Sequence, residues 1–141
     1  MSKHSHTEIK VFTDGGARGN PGPAAVGIVI LDEKDNLIIQ SKKYIGITTN
    51  NVAEYSALIE ALELLKEIDA YRIIFYTDSS LVYNQIKGLW KIKSPDMKLL
   101  NEQAKKMLSS LPNYNIVHIP REKNKDADKL VNEALDEQKK S

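Results

Sequence analysis

Apolar residues along the first third of the chain come in short runs separated by turn-forming residues. The runs cover residues 9–13, 24–31 and 37–45, and glycine, proline or charged residues separate them. Runs of this length and spacing predict β-strands. Because the connections between the three runs are short, they favour an antiparallel meander.

Apolar residues take up helical spacing shortly after residue 50. Asn51 is predicted to be the N-cap, and Glu54, three residues later, completes a capping box. The residues that then share one face of the predicted helix are Tyr55, Leu58, Leu62 and Leu65.

Strands and helices alternate through the rest of the chain. The patterns predict strands at 71–77 and 115–120 and helices at 81–87, 96–110 and 126–139. The element order is therefore β-β-β-α-β-α-α-β-α. With right-handed crossovers, this order predicts an α/β fold with a mixed five-stranded sheet, three antiparallel strands followed by two parallel ones, and helices on both faces.

Composition limits the kind of protein to a single globular domain. The 141 residues are 41% hydrophobic and 28% charged, as in ordinary globular domains. The absence of cysteine excludes a disulfide framework and thiolate chemistry. We expect a flexible tail at residues 1–7, in which His4 and His6 have no third metal ligand nearby, and one domain at 8–141.

Charge gives little indication of a partner. The formal net charge is only +1, so nucleic-acid binding would need a local basic patch. One such strip surrounds Trp90, where four lysines and one acid lie within residues 87–98; it is either a solvated face or a nucleic-acid contact. No run is long enough to span a membrane. We expect a cytoplasmic monomer that needs no protein partner and does not bind membranes.

Four acidic residues occupy similar places in the predicted elements. Asp14 and Asp78 each follow an apolar strand, and these acids meet if the two strands are adjacent and parallel. Glu54 and Asp128 lie in the first turns of helices. Each acid alone also has a structural explanation: Asp14 in a turn, Glu54 and Asp78 in helix capping, and Asp128 on a helix dipole.

Convergence of these acids would require a counterion. Like charges a few ångströms apart raise each other's pKa and destabilise the fold. Oxygen ligands without cysteine point to Mg²⁺ or Mn²⁺. Paired ions of this kind support phosphodiester cleavage, in which one ion activates water and the other stabilises the leaving oxygen.

Four motifs in order resemble the type 1 ribonuclease H family. They are TDGG (13–16) with GNPGP (19–23), TNNVAE (49–54), TDS (77–79) and NKDAD (124–128), and the resemblance spans about residues 8–138. It implies Mg²⁺-dependent hydrolysis of the RNA strand of an RNA/DNA hybrid, leaving 5′-phosphate and 3′-hydroxyl ends. It also implies that two metal ions are held by Asp14, Glu54, Asp78 and Asp128.

The same resemblance implies a set of nucleic-acid contacts. The glycine turn allows close approach to 2′-hydroxyl groups, and Thr49 helps hold a DNA-strand phosphate. The contacts expected here are Gly15, Gly16, Asn20, Thr49, Asn50, Asn51, Ser79 and Trp90, and the basic strip adds Lys91 and Lys93 in place of the missing protrusion.

The chain departs from the family pattern in three places. Only a short loop, residues 89–95, stands where many members insert a basic protrusion. Ile47 occupies the position of a phosphate-binding arginine. No histidine lies just ahead of the last acid; His118 is assigned a structural role, and Glu122 is the candidate for assisting proton transfer.

Two other functions remain open at this stage. One is a hybrid- or RNA-binding module that kept the fold without catalysis. Four acids facing a polyanion argue against it. The other is a different nuclease on the same fold, acting on duplex RNA or on a particular nucleic-acid structure.

Overall fold

The computed structural model describes residues 5–140, apart from the side chain of Ser5. The strands are β1 (Ser5–Ala17), β2 (Gly22–Leu31), β3 (Leu37–Thr48), β4 (Asp69–Thr77) and β5 (Tyr114–His118). The α-helices are α1 (Asn50–Leu64), α2 (Ser80–Ile86), α3 (Pro95–Ser109) and α4 (Lys125–Lys140). Single 3-10 turns cover Leu65–Glu67 and Arg121–Lys123. Within the described range, no helix is long and apolar enough to cross a membrane.

The five strands form one mixed sheet in the order β3-β2-β1-β4-β5. β1 to β3 pair antiparallel, whereas β4 lies parallel to β1 and β5 lies parallel to β4. The predicted α/β fold and strand directions are confirmed. Parallel pairing aligns Thr13 with Thr77, so the residues after these two threonines leave the β1–β4 pair side by side.

Helices cover both faces of the sheet, and β2 is therefore buried on both sides. Val26, Ile28 and Ile30 belong to the core shared with α1, α2 and α3. Ala25 packs instead with Val131 and other residues of α4. Successive side chains of a strand point to opposite faces, so α4 lies across the sheet from the other helices.

β1 is longer than predicted at both ends. Residues 5–7, which the sequence placed in a flexible tail, belong to the strand, and His6 pairs with Ala70. Glu33 accepts hydrogen bonds from the backbone N–H and hydroxyl of Thr7, which fixes this end to the β2–β3 turn. The rest of that prediction, including His4, concerns residues 1–4, which lie outside the described residues.

The second extension of β1 changes the setting of Asp14. The strand continues to Ala17, and Asp14 pairs with Gly27 of β2. Asp14 therefore lies where pairing with β4 stops, rather than at the end of its own strand. The glycines that predicted a turn, Gly15 and Gly16, continue the antiparallel pairing.

The cap of α1 differs from the prediction, which placed it at Asn51. Thr49 is the N-cap, and its hydroxyl oxygen accepts the Val52 N–H at 3.2 Å. The helix begins at Asn50, so Glu54 lies beyond the third helical position and is not part of a capping box. Similarly, Ser79 rather than Asp78 caps α2. Both acids are therefore free of the capping roles that the sequence allowed.

Two glycines allow helices to cross the sheet at very short range. A Cβ atom on Gly15 would lie 2.1 Å from the carbonyl oxygen of Ala53 in α1. One on Gly27 would lie 2.3 Å from the carbonyl oxygen of Ala127 in α4, on the other face. Since Ala53 and Ala127 directly precede Glu54 and Asp128, these contacts bring both acids towards Asp14.

A buried polar triad joins the three helices on the first face. The Tyr55 hydroxyl of α1 donates to Gln85 Oε1 of α2 at 2.6 Å, and Asn101 Nδ2 of α3 donates to the Tyr55 hydroxyl at 3.2 Å. All three residues are buried. The triad satisfies its buried polar atoms and fixes the mutual positions of α1, α2 and α3.

Candidate active site

Three of the four predicted acids meet in space. One carboxylate oxygen each from Asp14, Glu54 and Asp78 lie within 4.8 Å of one another. Asp14 comes from the centre of the sheet, Glu54 from the first turns of α1, and Asp78 from the end of β4. Pairing of Thr13 with Thr77 and the approach of α1 at Gly15 together produce this cluster.

Asp128 completes the arrangement from the α4 side. Its carboxyl lies close enough to that of Asp14 to raise the pKa of Asp14. All four acids line one open cavity of about 310 Å³. Asp126, two residues away, is exposed and lines a different groove. The structure therefore places Asp128, and not Asp126, with the other three acids.

The cluster is electrostatically strained without a cation. Burial, reinforced by the neighbouring carboxyls of Asp78 and Asp128, raises the pKa of Asp14 from 3.8 to about 8. Burial also raises the pKa of Glu54, and the charge of Asp78 adds to the increase. A hydrogen bond with Ser79 and the nearby charge of Arg121 act in the opposite direction. The site therefore favours positive charge.

This strain predicts an unusual dependence of stability on pH. Because folding raises the pKa of Asp14, the folded state holds its proton to higher pH than the unfolded state. Its contribution to stability is fully present below about pH 4 and is lost as pH rises towards about 8. In thermal unfolding of the metal-free chain, Tm should decrease as pH rises from about 4 to about 8. The decrease should be smaller in Asp14→Asn.

Addition of a divalent cation provides the control for that measurement. At pH 8, Mg²⁺ should raise the Tm of the unaltered chain, because a ligand that binds only the folded state stabilises it. Mg²⁺ should raise the Tm of Asp14→Asn much less. A Tm that is equally pH-dependent in both proteins would contradict the assignment of the strain to Asp14.

The donor set fits a hard divalent cation. The four acids offer only carboxylate oxygens, and Mg²⁺ and Mn²⁺ prefer such ligands. Burial first, and then the neighbouring carboxylates, raise the pKa values of Asp14 and Glu54, as expected for groups that a cation would neutralise.

Several residues around the acids were not singled out from the sequence. Arg121 lines the cavity and lies close enough to Glu54 to affect its pKa. Asn132 donates to the Asp128 carboxylate at 3.4 Å and accepts from Arg18 at 3.2 Å. Asn124 donates to the Asp78 carboxylate at 3.2 Å. Only Asn124 had a signal in the sequence, as the first residue of the NKDAD motif.

The implied nucleic-acid contacts divide into two groups. Gly15, Gly16 and Asn50 line the cavity itself. Asn50 is held by Asn20, whose Oδ1 accepts the Asn50 N–H at 3.1 Å, and by the Ala17 N–H, which donates to Asn50 Oδ1 at 3.2 Å. Because Gly15 has no side chain, α1 can pack directly against it. Helix packing therefore explains this glycine independently of any contact with nucleic acid.

The second group does not line the acidic cavity within the described residues, although Ser79 directly follows Asp78 and its hydroxyl acts to lower the pKa of Glu54. Asn51 is exposed next to the α1 cap, while Ser79 is buried in its capping role. Within the described part of the chain, the loop residues Trp90, Lys91 and Lys93 are exposed and line none of the acidic cavity. Their contact with nucleic acid stays a prediction.

Neither His118 nor Glu122 lines the acidic cavity among residues 5–140. The His118 ring packs against the Tyr83 ring, with centroids 5.7 Å apart. Glu122 is exposed in the turn after β5. Ile47, in place of the arginine, is 66% exposed on β3 and offers no charge to a phosphate.

Comparison with known proteins places this geometry in a family. A family model described as reverse transcriptase-like matches residues 12–134. A ribonuclease HI of Halobacterium salinarum is 40% identical, over 92% of this chain and 65% of its own length. A protein of Mycobacterium tuberculosis described as bifunctional is also 40% identical, over 92% of this chain and 36% of its own length. This chain thus spans less than two thirds of either relative.

A solved structure matches more completely. LC11-RNase H1, crystallised in complex with an RNA/DNA hybrid, is 49% identical with a TM-score of 0.86, covering 92% of this chain and 98% of its own. The family model over residues 12–134, the 40% identity to a ribonuclease HI and the 0.86 TM-score to LC11-RNase H1 agree with one another, and on these grounds the chain belongs to the type 1 ribonuclease H family.

Proposed function

We propose that this chain is an endoribonuclease that hydrolyses the RNA strand of RNA/DNA hybrids and leaves 5′-phosphate and 3′-hydroxyl ends. The observation that supports it best is the convergence of Asp14, Glu54 and Asp78 within 4.8 Å, with Asp128 on the same cavity. The reaction depends on Mg²⁺, with Mn²⁺ as a substitute. The hybrid-bound structure of LC11-RNase H1 agrees with this substrate.

The four acids hold the metal ions in this proposal. Bound there, two divalent cations would activate the attacking water and stabilise charge on the leaving oxygen. The protein contributes fixed positions: Asp14 on a paired strand, and Glu54 and Asp128 on helices seated by glycines. Rigid placement of this kind reduces the reorganisation needed during the reaction.

Polar groups at the cavity rim recognise the RNA strand. Asn50 and Gly16 line the cavity beside the acids, where an amide and an open backbone can contact 2′-hydroxyl groups. Arg18 and Arg121 line the same cavity and offset its negative charge towards an incoming polyanion. Since Ile47 carries no charge, Thr49 at the N-cap of α1 holds the DNA-strand phosphate without an arginine. Asn20, in the loop between β1 and β2, is a further nucleic-acid contact beside it.

Cleavage of an end-labelled RNA/DNA hybrid tests the proposal. We expect cuts in the RNA strand with Mg²⁺, reduced or altered cleavage with Mn²⁺, and none with EDTA. A parallel panel of duplex RNA, duplex DNA and single strands should remain intact. Equal cleavage of duplex RNA would favour the alternative nuclease, and hybrid binding without cleavage in either metal would favour a binding module.

A further inference from the structure

We propose that Asn124 is a positioning residue that fixes the carboxylate of Asp78 relative to Asp14 and Asp128. It lies between the turn Arg121–Lys123 and the start of α4. Its side chain is 1% exposed. The inference rests on the proposed function, because it concerns how the cluster of acids is held.

The Asn124 side chain donates two hydrogen bonds at the site. Nδ2 donates to the Thr13 carbonyl at 2.9 Å and to Asp78 Oδ2 at 3.2 Å. Thr13 directly precedes Asp14, and its pairing with Thr77 is the last contact between β1 and β4. One amide nitrogen therefore bridges the two parallel strands at the point where their acids emerge.

The backbone of Asn124 connects the fourth acid to the same residue. Its carbonyl accepts the Asp128 N–H at 3.1 Å, and its own N–H donates to the Arg121 carbonyl at 2.9 Å. Asn124 thus touches Asp78 directly, the residue before Asp14, and the backbone of Asp128. It therefore connects two of the four acids directly and a third through the neighbouring Thr13.

The orientation of the amide follows from its partners. Both Thr13 and Asp78 present acceptor oxygens, so only the donating nitrogen can face them. With the amide turned over, Oδ1 would oppose a carbonyl and a carboxylate. An aspartate at this position would introduce the same repulsion.

Helix capping does not explain this asparagine. An asparagine ahead of a helix normally caps it by accepting a backbone N–H with Oδ1. Thr49 and Ser79 cap α1 and α2 in this way through their hydroxyl oxygens. Asn124 Oδ1 instead has no hydrogen-bond partner among residues 5–140. The buried amide therefore acts through its donor nitrogen, Nδ2, which bonds the Asp78 carboxylate and the Thr13 carbonyl.

Asn124→Ala tests the role, with Asn101→Ala as the matched control. Both asparagines are buried, and both donate from Nδ2, but Asn101 donates to the Tyr55 hydroxyl in the core, whereas Asn124 donates to a carboxylate of the site. We expect both variants to lower Tm. Only Asn124→Ala should lower kcat by 10- to 100-fold, the usual effect of removing a partner of a metal ligand, with KM for the hybrid changed less than about twofold.

Metal binding gives a readout that does not depend on activity. Calorimetric titration of the full chain with Mn²⁺, without nucleic acid, should show roughly tenfold or greater loss of affinity in Asn124→Ala. Asn101→Ala should bind Mn²⁺ like the unaltered chain. If Asn124→Ala loses Tm but keeps its kcat and Mn²⁺ affinity, the asparagine is structural only and the inference is wrong.

Two further comparisons distinguish failure of folding and failure of the proposed function from failure of this inference. Should Asn124→Ala fail to fold, Asn124→Ser retains a small donor and is measured in its place, with the same expected direction and a smaller loss. Should the unaltered chain fail to cleave hybrids, the proposed function is wrong. The Mn²⁺ titration then still decides whether Asn124 positions the acids.

Discussion

Replacing Asp14 with asparagine is expected to lower the rate of hybrid cleavage by roughly three orders of magnitude while leaving hybrid binding intact or stronger. Asp14 is the central acid, since the pKa of its carboxyl responds to Asp78, Asp128 and Glu54. The amide is nearly isosteric with the carboxyl, so the sheet should be preserved. Cleavage of labelled hybrid at saturating Mg²⁺ measures the loss, and fluorescence anisotropy of the same hybrid measures binding.

Asp126→Asn is the matched control for this experiment. It removes one negative charge from the first turn of α4, which also holds Asp128, but Asp126 is exposed and lines a different groove. Its cleavage rate should stay within about twofold of the unaltered chain. Cleavage by Asp14→Asn at the unaltered rate would contradict a catalytic role for the cluster, and would leave a second, separate site as the source of activity.

The Asp14 result also separates an enzyme from a binding module. Neutralising a carboxylate reduces repulsion of the phosphate backbone. Affinity for the hybrid should therefore hold or rise in either case. Only for an enzyme does turnover disappear while binding is kept.

Gly15→Ala should destabilise the fold by roughly 3 kcal/mol or more, or prevent folding. The new Cβ would lie 2.1 Å from the Ala53 carbonyl oxygen, which is backbone and cannot move without shifting α1. Chemical denaturation followed by circular dichroism measures the change in the free energy of unfolding. Gly27→Ala should lower the free energy of unfolding by a similar amount, because its Cβ would lie 2.3 Å from the Ala127 carbonyl oxygen.

The neighbouring glycine provides the control. A Cβ on Gly16 would meet its nearest atom, Val131 Cγ1, at 3.6 Å, an ordinary contact. Gly16→Ala should therefore change the unfolding free energy by less than about 1 kcal/mol. Equal loss in Gly15→Ala and Gly16→Ala would mean that strand propensity, rather than the crossing of α1, determines the cost.

Much of the fold was predictable because hydrophobic spacing reports burial directly. The apolar run of β2 and the helical spacing after residue 50 identified their elements correctly. The extension of β1 was not predictable in this way. Gly15 and Gly16 signal a turn locally, but here their lack of a side chain serves helix packing on a continuing strand.

The site was predictable to the extent that it depends on element ends. Asp14 and Asp78 follow apolar runs, and parallel pairing of those runs brings the acids together. The α1 cap shows the limit of such reasoning. Thr49 and Asn51 are both good capping residues, and the choice depends on where the chain leaves β3.

Contacts between distant segments gave no local signal. Arg121 belongs to a charged stretch that looks like ordinary solvated loop, yet it lines the cavity. Asn132 and Arg18 are separated by 114 residues, and only the seating of α4 on the sheet brings them together. Partners of this kind depend on tertiary packing and not on spacing in sequence.

The strand order also determines how the sheet ends. Its two edge strands are β3 and β5, and an exposed edge can add a strand from another molecule. β5 is only five residues long. On β3, Lys42 bonds to Glu133 and Glu137 of α4, while Lys43 bonds to Glu60 of α1. Helices on the two faces thus anchor lysines along the longer edge, and this arrangement disfavours sheet growth from one chain to the next, protecting the protein from aggregation.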